Sequence, residues 1–327
     1  MKRFVMIGLC ALIVTLSLLI PSCRRDGALT SRLVVTAVGF DRTEQGIAVS
    51  VSAIQPLKVA AGATEQEGRA TAVTTVTAPS VEAALHLLGE QGGRRPYWRQ
   101  NQLLVLSESF CRELPLLGGD AAHPRLPVAL VRGAPDALLD VEGNETLTAL
   151  TLVQLLTLGA EQGISVRRTF LDLERARAHM WDLTLPILAV RDKQAFHDGT
   201  AVFKEGRLAL TLTRDETAAY GMLAGESDRI THAADVLYTA QNLKTRVTIE
   251  RDGALFRYRF TVTGKGDADT AAFLKTQAET VLRRLDGAQT DPLGLARRTA
   301  NAFPNVTQKT VLSQLSACEK TVSVTLK

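Results

Sequence analysis

An apolar run with a cysteine just behind it divides this chain into a leader and a folding part. The run Phe4–Ile20 is 17 residues long, follows two cations and ends three residues before Cys23. A positive start, an apolar stretch and small residues before a cleavage point are the three parts of a secretory signal. We therefore predict that residues 1–22 are a signal peptide and that the 305 residues from Cys23 to Lys327 encode the fold.

The segment that ends at Cys23 resembles a bacterial lipobox, in which aliphatic and small residues precede an acylated cysteine. We predict that Cys23 is the lipid attachment site, with S-diacylglycerol and an N-acyl chain, and that the protein is held on the outer face of a membrane. Pro21 departs from the usual small residue at its position. An uncleaved membrane helix and simple secretion remain alternatives, because 17 apolar residues are close to the shortest membrane span.

Composition indicates a folded, globular protein without a nucleic-acid partner. Apolar residues make up 46% of the chain and charged residues 22%, as in ordinary globular proteins. Without Lys2 and Arg3, which leave with the leader, the formal charge falls from +4 to +2, too little for a nucleic-acid-binding surface. The length predicts two or three domains. With Cys10 in the leader, Cys111 and Cys318 are left to form one disulfide or, as we favour, two separate buried thiols.

Strand and helix patterns alternate through the first part of the mature chain, where residues 23–192 are predicted to form an N-terminal α/β region with room for two subdomains. Runs of β-branched or alternating residues predict strands at Arg32–Val38, Ile47–Ile54, Thr71–Thr77, Gln102–Leu106, Pro127–Val131 and Leu183–Val190. Apolar faces predict helices from Pro79 to Gly92 and at Thr148–Leu158 and Thr169–Met180. Pro186 predicts an edge strand or a bulge. Residues 59–70 are predicted to be a mobile loop, and the polar stretch Arg191–Asp198 a domain junction.

Residues 198–327 are predicted to form a second, C-terminal α/β domain. Hairpins are expected at Thr200–Lys204 with Arg207–Leu212, and at Lys244–Glu250 with Phe256–Val262 across Asp252-Gly253. Thr213 and Glu216 match a capping box at a helix start. A helix at Ala271–Leu285 and a strand at Thr321–Leu326 complete the pattern. The predicted fold class is α+β, with several domains and antiparallel or mixed sheets flanked by helices.

Motifs for catalysis, cofactors and metals do not stand out, so the sequence predicts a protein that is not an enzyme. The five histidines do not fall in a zinc-binding spacing, and no calcium-binding loop accompanies them. Arg229 stands where a serine nucleophile elbow requires glycine. No catalytic, cofactor-binding or metal-binding residue is therefore assigned.

One local segment combines cations and aromatic rings. Arg94, Arg95, Tyr97, Trp98 and Arg99 lie within six residues. Such a set is suited to lipid headgroups or to a partner protein. The alternative, which we favour at this point, is a connection between a helix and a strand whose rings cover the core while the arginines stay in water.

The order of several segments resembles the GerC-type spore germination lipoproteins. The opening Cys23-Arg24-Arg25-Asp26 followed by the strand Arg32–Asp41 is similar to that family's start, with Arg24 where the family has Trp. Later segments also match in order: Arg94–Ser107, although Gln100 and Asn101 stand where a Gly-His pair is common, then Thr200–Thr217, and Asp291–Arg297 ahead of Phe303-Pro304.

This resemblance implies a non-enzymatic subunit of a nutrient germinant receptor, with a mixed α/β fold in several domains. It would be lipidated, lie on the outer face of the inner spore membrane or the cell membrane, and assemble with two integral membrane subunits of the A and B types. The main alternative is a solitary lipoprotein that binds a small extracytoplasmic solute. A cell-surface hydrolase is a third, and it would require a pair of acids in a deep pocket.

Overall fold

The chain folds into two β-sheets with helices packed on their faces. The computed structural model describes residues 32–55, 70–91, 93–112, 122–143, 145, 147–233 and 236–327. Within these residues the first sheet has nine strands and the second has four. Mixed sheets flanked by helices confirm the predicted α+β class.

The first sheet combines a parallel centre with antiparallel margins. Its strands are β1 Arg32–Thr43, β2 Gly46–Ile54, β3 Thr71–Ala78, β4 Arg95–Tyr97, β5 Leu103–Ser107, β6 Val128–Val131, β7 Leu183–Arg191, β8 Gln194–Lys204 and β9 Arg207–Leu212. They lie in the order β3-β2-β1-β5-β6-β7-β8-β9, and β4 pairs with the start of β1. The pairs β1/β4, β1/β5, β5/β6 and β6/β7 are parallel, and the others are antiparallel. The β1/β2 and β8/β9 hairpins confirm the sequence prediction.

Four helices cover both faces of this sheet. They are α1 Val81–Gln91, α2 Pro135–Leu139, α3 Thr148–Glu161 and α4 Phe170–His179. Because side chains alternate along a strand, Leu104 of β5 joins one hydrophobic cluster with α1 and α4, while Val105 joins another with α2 and α3. The first half of the protein is therefore a three-layer sandwich of helix, sheet and helix.

The second sheet carries its own core. Its strands are β10 Arg229–Ala233, β11 Leu237–Asp252, β12 Leu255–Lys265 and β13 Glu319–Leu326, in that order, with β12 and β13 parallel. The associated helices are α5 Arg214–Ala224, α6 Ala268–Gly287, α7 Leu295–Ala302 and α8 Gln308–Gln314. Tyr220, Tyr258 and Phe260 are fully buried between them. The predicted capping box is present at α5: the Glu216 N–H donates to Thr213 Oγ1 at 3.3 Å, and the Thr213 N–H donates to Glu216 Oε2 at 2.8 Å.

The polar stretch predicted as a junction is a β-hairpin instead. Strands β7 and β8 pair from Arg191 and Gln194 inward, across a turn at Asp192 and Lys193. Both turn residues have positive φ, 50° and 57°, which is the conformation of a tight hairpin turn. The first sheet therefore continues through residues 193–197 and includes all strands up to Leu212.

Pro186 lies in the interior of the sheet, so the edge-strand alternative was wrong and the bulge alternative was right. Strand β7 is flanked by β6 and β8, and its pairing with β8 shifts register between Ile187 and Leu188. A proline N atom cannot donate to a neighbouring strand. At this bulge Gly199 has φ +125°, and a Cβ there would lie 2.1 Å from the Leu212 carbonyl oxygen.

Strand β8 links the two cores. Ala201 and Phe203 point into the cluster under α1 and α4, whereas Val202 points into the cluster of the second sheet. One strand thus fills space in both halves of the molecule.

The remaining predicted elements of the described chain are present, with ends shifted by a few residues. The predicted signal peptide, Cys23 and nearly all of the predicted loop over 59–70 lie outside the described residues. In the part of the chain that is described, none of the helices has the length and apolar character that a membrane span requires.

Candidate functional site

The segment of arginines and aromatic rings lies beside the first residues of β1. Strand β4 pairs in parallel with Arg32–Val34, which places Arg32 opposite Arg95. The Arg32 guanidinium carbon lies 5.1 Å from the centre of the Tyr97 ring. Trp98 is half-buried and packs against the core of the first sheet. Trp98 thus covers part of the core, as the alternative interpretation had it, whereas Tyr97 faces Arg32.

The cations of this segment remain in water. Arg95 and Arg99 are exposed, and Arg94 is half-exposed. Because β1, β4, β5 and β6 are parallel, the ends at which they begin share one edge of the sheet. Arg125, also exposed, precedes β6 at this edge. We name this set the basic edge: Arg32, Arg94, Arg95, Arg99 and Arg125. Sequence reasoning missed Arg32, which strand pairing places opposite Arg95, and Arg125, which precedes a strand parallel to β1 and β5.

A cleft lies between the first sheet and the helices of the second half. A cavity of about 200 Å³ is lined by Trp181, Asp182, Glu226, Asp291 and Arg297, among others. An adjoining cavity of about 310 Å³ shares Met180, Asp182 and Leu312 with it. The Arg297 guanidinium stacks over the Trp181 ring at 5.0 Å from its centre. The sequence pattern did not reveal this cleft, because Trp181 and Asp182 are more than one hundred positions from Asp291 and Arg297 in the chain.

Two aspartates at the base of the cleft hold its walls together. The Asp291 N–H donates to Asp182 Oδ2. Asp291 itself accepts from the N–H groups of Leu295 at 2.7 Å and Ala296 at 2.8 Å, and so caps the start of α7. Burial raises the pKa of Asp291 to about 6, against the lowering effect of those two N–H groups. Burial also raises the pKa of Asp182, despite backbone hydrogen bonds from Asp291 and Glu205.

This pair has the composition that a hydrolase requires, but its oxygens are already engaged. Both oxygens of Asp291 accept backbone hydrogen bonds, and Asp182 Oδ2 accepts from the Asp291 N–H. A general acid or base must be free to exchange a proton with a substrate atom. These hydrogen bonds give both carboxylates a structural role at the start of α7.

An ion pair between the partly buried Arg168 and the more exposed Glu226 forms another wall of the cleft. Arg168 donates to both carboxylate oxygens of Glu226, at 2.9 and 2.8 Å, and to Thr184 Oγ1 at 2.7 Å. The Tyr220 hydroxyl donates a hydrogen bond to the Pro292 carbonyl oxygen at 3.2 Å. Burial raises the pKa of Tyr220 to about 12. These contacts join the segment before α4, strand β7, helix α5 and the loop before α7. The cleft is therefore held by polar contacts from both halves.

The two cysteines of the described chain are separate and buried. Cys111 and Cys318 are free thiols that lie in different hydrophobic clusters, as the favoured prediction had it. Burial raises the pKa of Cys111 far above its ordinary value, and a protonated thiol is a poor nucleophile. Within the described residues, no group of three or more His, Cys, Asp or Glu side chains is arranged to hold a metal ion.

Comparisons with known proteins place these features in a family context. A family model described as the spore germination protein N-terminal domain matches residues 28–190. Among solved structures, the crystal structure of the GerBC protein is similar, with a TM-score of 0.57 and 13% sequence identity. The match covers 89% of this chain and 96% of that one. None of the curated proteins matches the sequence. At this identity the structural likeness shows a shared fold across nearly the whole chain.

Proposed function

Because the chain belongs to the GerC-type family of spore germination proteins, we propose that it is a lipid-anchored, non-enzymatic subunit of a nutrient germinant receptor. In this proposal Cys23 holds the protein on the outer face of the inner spore membrane. There it assembles with integral membrane subunits of the A and B types. The observation that carries the proposal is the family match to residues 28–190, joined to a fold shared with GerBC over most of the chain.

The position of Cys23 supports membrane attachment. Arg32, where β1 begins, is nine positions after Cys23, with eight residues between them. A chain spans at most about 3.3–3.6 Å per residue, so this linker reaches about 30 Å. Two acyl chains attach a protein stably where one gives only marginal binding. A protein held this closely meets membrane subunits at high effective concentration.

The engaged carboxylates of the cleft support a role without catalysis. Asp182 and Asp291 hold backbone N–H groups, and Glu226 holds Arg168. These acids contribute to the joint between the two halves. A fixed joint of this kind is compatible with a subunit whose interface backbone moves little when it binds its partners.

Fractionation of cells that make the Cys23→Ala variant tests the anchor. We expect the variant to leave the membrane fraction, because it lacks the acylated sulfur, while its circular dichroism matches that of the wild type. Cys10→Ala is the matched control, since it removes a cysteine from the leader without touching the proposed attachment site. Retention of Cys23→Ala on detergent-free membranes would show that an uncleaved helix holds the protein.

Affinity purification from spore membranes, followed by mass spectrometry, tests the assembly. We expect subunits with several membrane spans to co-purify with the wild type. A preparation that contains the anchored protein but no such subunit would contradict the receptor role.

The cleft favours a second candidate function, that of a solitary lipoprotein that binds a small solute. Concave sites with a few polar groups are the usual places for small ligands, and Trp181 and Arg297 line this one. The chain has two tryptophans, so the Trp98→Phe variant leaves Trp181 as the single reporter. Saturable changes in its emission on titration with amino acids or sugars, in the absence of any co-purifying subunit, would favour this function over the receptor role.

A further inference from the structure

Within the described part of the chain, the basic edge is a cluster of cations that no carboxylate compensates. Among the described residues, Arg94, Arg95, Arg99 and Arg125 have no carboxylate partner, and Arg32 faces the Tyr97 ring. The acid at the nearby end of α1, Glu90, pairs with His86 at 3.5 Å. Cations that share one edge repel each other unless anions lie opposite them. The edge is thus suited to an anionic partner.

The other end of the parallel strands has a different character. There Arg42 is exposed in the last turn-proximal residues of β1, and Arg132 pairs with Asp198 at 2.7 Å. Arg191 stacks on the Phe196 ring at 5.2 Å. Positive charge is therefore concentrated where the strands begin.

The path of the chain indicates what the anionic partner is. Arg32 is both a member of the basic edge and the first residue of β1, and the linker from Cys23 ends there. The edge consequently cannot move farther than about 30 Å from the attachment point. Attraction to an anionic surface acts within about a Debye length of 8 Å. A linker this short keeps the basic edge close enough to the membrane to come within that distance often.

Lipid is a better match than nucleic acid or an acidic protein. Juxtamembrane arginines are attracted to the surface of an anionic bilayer. Tyr97 and Trp98, beside the arginines, are the residue types that occupy the interface between lipid and water. The mature chain carries only +2 overall, so its positive field is local to such patches.

We propose that the basic edge lies against anionic phospholipid headgroups. This orients the first sheet with the beginnings of its parallel strands toward the membrane. The proposal rests on the proposed function, which supplies the tether at Cys23. It adds a second contact and a fixed orientation to that tether.

Fluorescence quenching of the full chain on vesicles tests this orientation. Trp181→Phe leaves Trp98, which adjoins Arg99, as the single tryptophan. Vesicles contain phosphatidylcholine with or without phosphatidylglycerol, and a fraction of the lipid carries a headgroup spin label that quenches at short range. We expect quenching of Trp98 with phosphatidylglycerol, and loss of that quenching on neutral vesicles or at high salt.

Charge reversal identifies the residues responsible. In the same background, Arg95→Glu with Arg99→Glu should abolish the quenching that depends on phosphatidylglycerol. Arg42→Glu with Arg191→Glu changes the net charge equally at the opposite edge and should leave quenching intact. Quenching that is equal in both lipid mixtures, or that survives Arg95→Glu with Arg99→Glu, overturns the proposal.

The outcomes also separate this proposal from the tether. Retention on neutral vesicles reports the anchor, whereas dependence on phosphatidylglycerol reports the basic edge. If Arg95→Glu with Arg99→Glu leaves quenching unchanged but prevents co-purification of membrane subunits, the edge is a protein interface and the lipid proposal is wrong.

Discussion

Asp291→Asn should change how the stability of this protein depends on pH. Burial between the two halves raises the pKa of Asp291 from 3.8 to about 6. The charged groups that face it are Asp182, which raises the pKa further, and Lys320, which lowers it. Asparagine keeps one acceptor for the α7 N–H groups but has no charge to bury.

The magnitude follows from proton linkage. A group whose pKa is higher in the folded state stabilises the fold below its unfolded pKa, and this stabilisation is lost as pH rises through the folded pKa. For Asp291 this loss occurs in the window between about pH 3.8 and about pH 6. At 1.36 kcal/mol per pKa unit, the stabilisation that is lost is roughly 3 kcal/mol. Whole proteins are stable by only about 5–15 kcal/mol, so an effect of this size is measurable.

Chemical denaturation at a series of pH values provides the assay. The free energy of unfolding of Asp291→Asn, minus that of the wild type, should rise by roughly 3 kcal/mol as pH increases through this window and then level off. A lost hydrogen bond to Ala296 adds a constant offset of about 1 kcal/mol in the opposite direction.

Asp267→Asn is a control with the opposite sign. The N–H of Thr270 lowers the pKa of Asp267, which caps α6. Its contribution is lost as pH falls, so the corresponding difference should rise toward acid pH. A difference for Asp291→Asn that is constant, or that falls as pH increases, would refute the reasoning.

Three further substitutions or treatments test the packing around the cleft and the cores. Thr213→Ala removes the α5 cap and should lower the free energy of unfolding by about 1 kcal/mol. The control Thr276→Ala, on the exposed face of α6, should change it by less than about 0.5 kcal/mol. Equal shifts of the thermal unfolding temperature in the two variants would contradict the capping contact. Arg168→Met leaves Glu226 without its bidentate partner. Because Glu226 is partly exposed, the free energy of unfolding, measured by urea denaturation, should fall by about 2 kcal/mol. A decrease as small as that of an exposed surface pair would argue against the partial burial of Arg168. Thiol reagents should modify Cys111 and Cys318 only after unfolding, as mass spectrometry can follow, and modification of native Cys111 would show that its cluster opens.

Local rules predicted most strands and helices because the signals were local. The capping box at Thr213 and the Asp252-Gly253 turn each lie within a few residues. The β7/β8 hairpin was missed for a physical reason: its turn uses Asp192 and Lys193 in a conformation that glycine usually supplies. Without glycine or asparagine, the stretch was indistinguishable from a polar linker.

The sites depend on contacts that sequence spacing does not encode. The arginines of Arg94–Arg99 were recognised by their type, yet their link to Arg32 and Arg125 required the strand order of the sheet. Asp182 and Asp291 meet across 109 positions, and neither belongs to a motif for catalysis. Most arginines of the basic edge could thus be identified from the sequence by their residue type. The residues of the cleft could be identified only from the folded structure.

Strand β1 also determines how the molecule bears a load. It lies inside the sheet, with β2 along one side and β4 and β5 along the other. A pull on its first residue acts along the strand, so its ladder hydrogen bonds are sheared together instead of being peeled apart one after another. A body suspended from this end of the chain is held by hydrogen-bonded ladders on both sides of the strand, whereas each of the edge strands β3 and β9 is held by a ladder on one side.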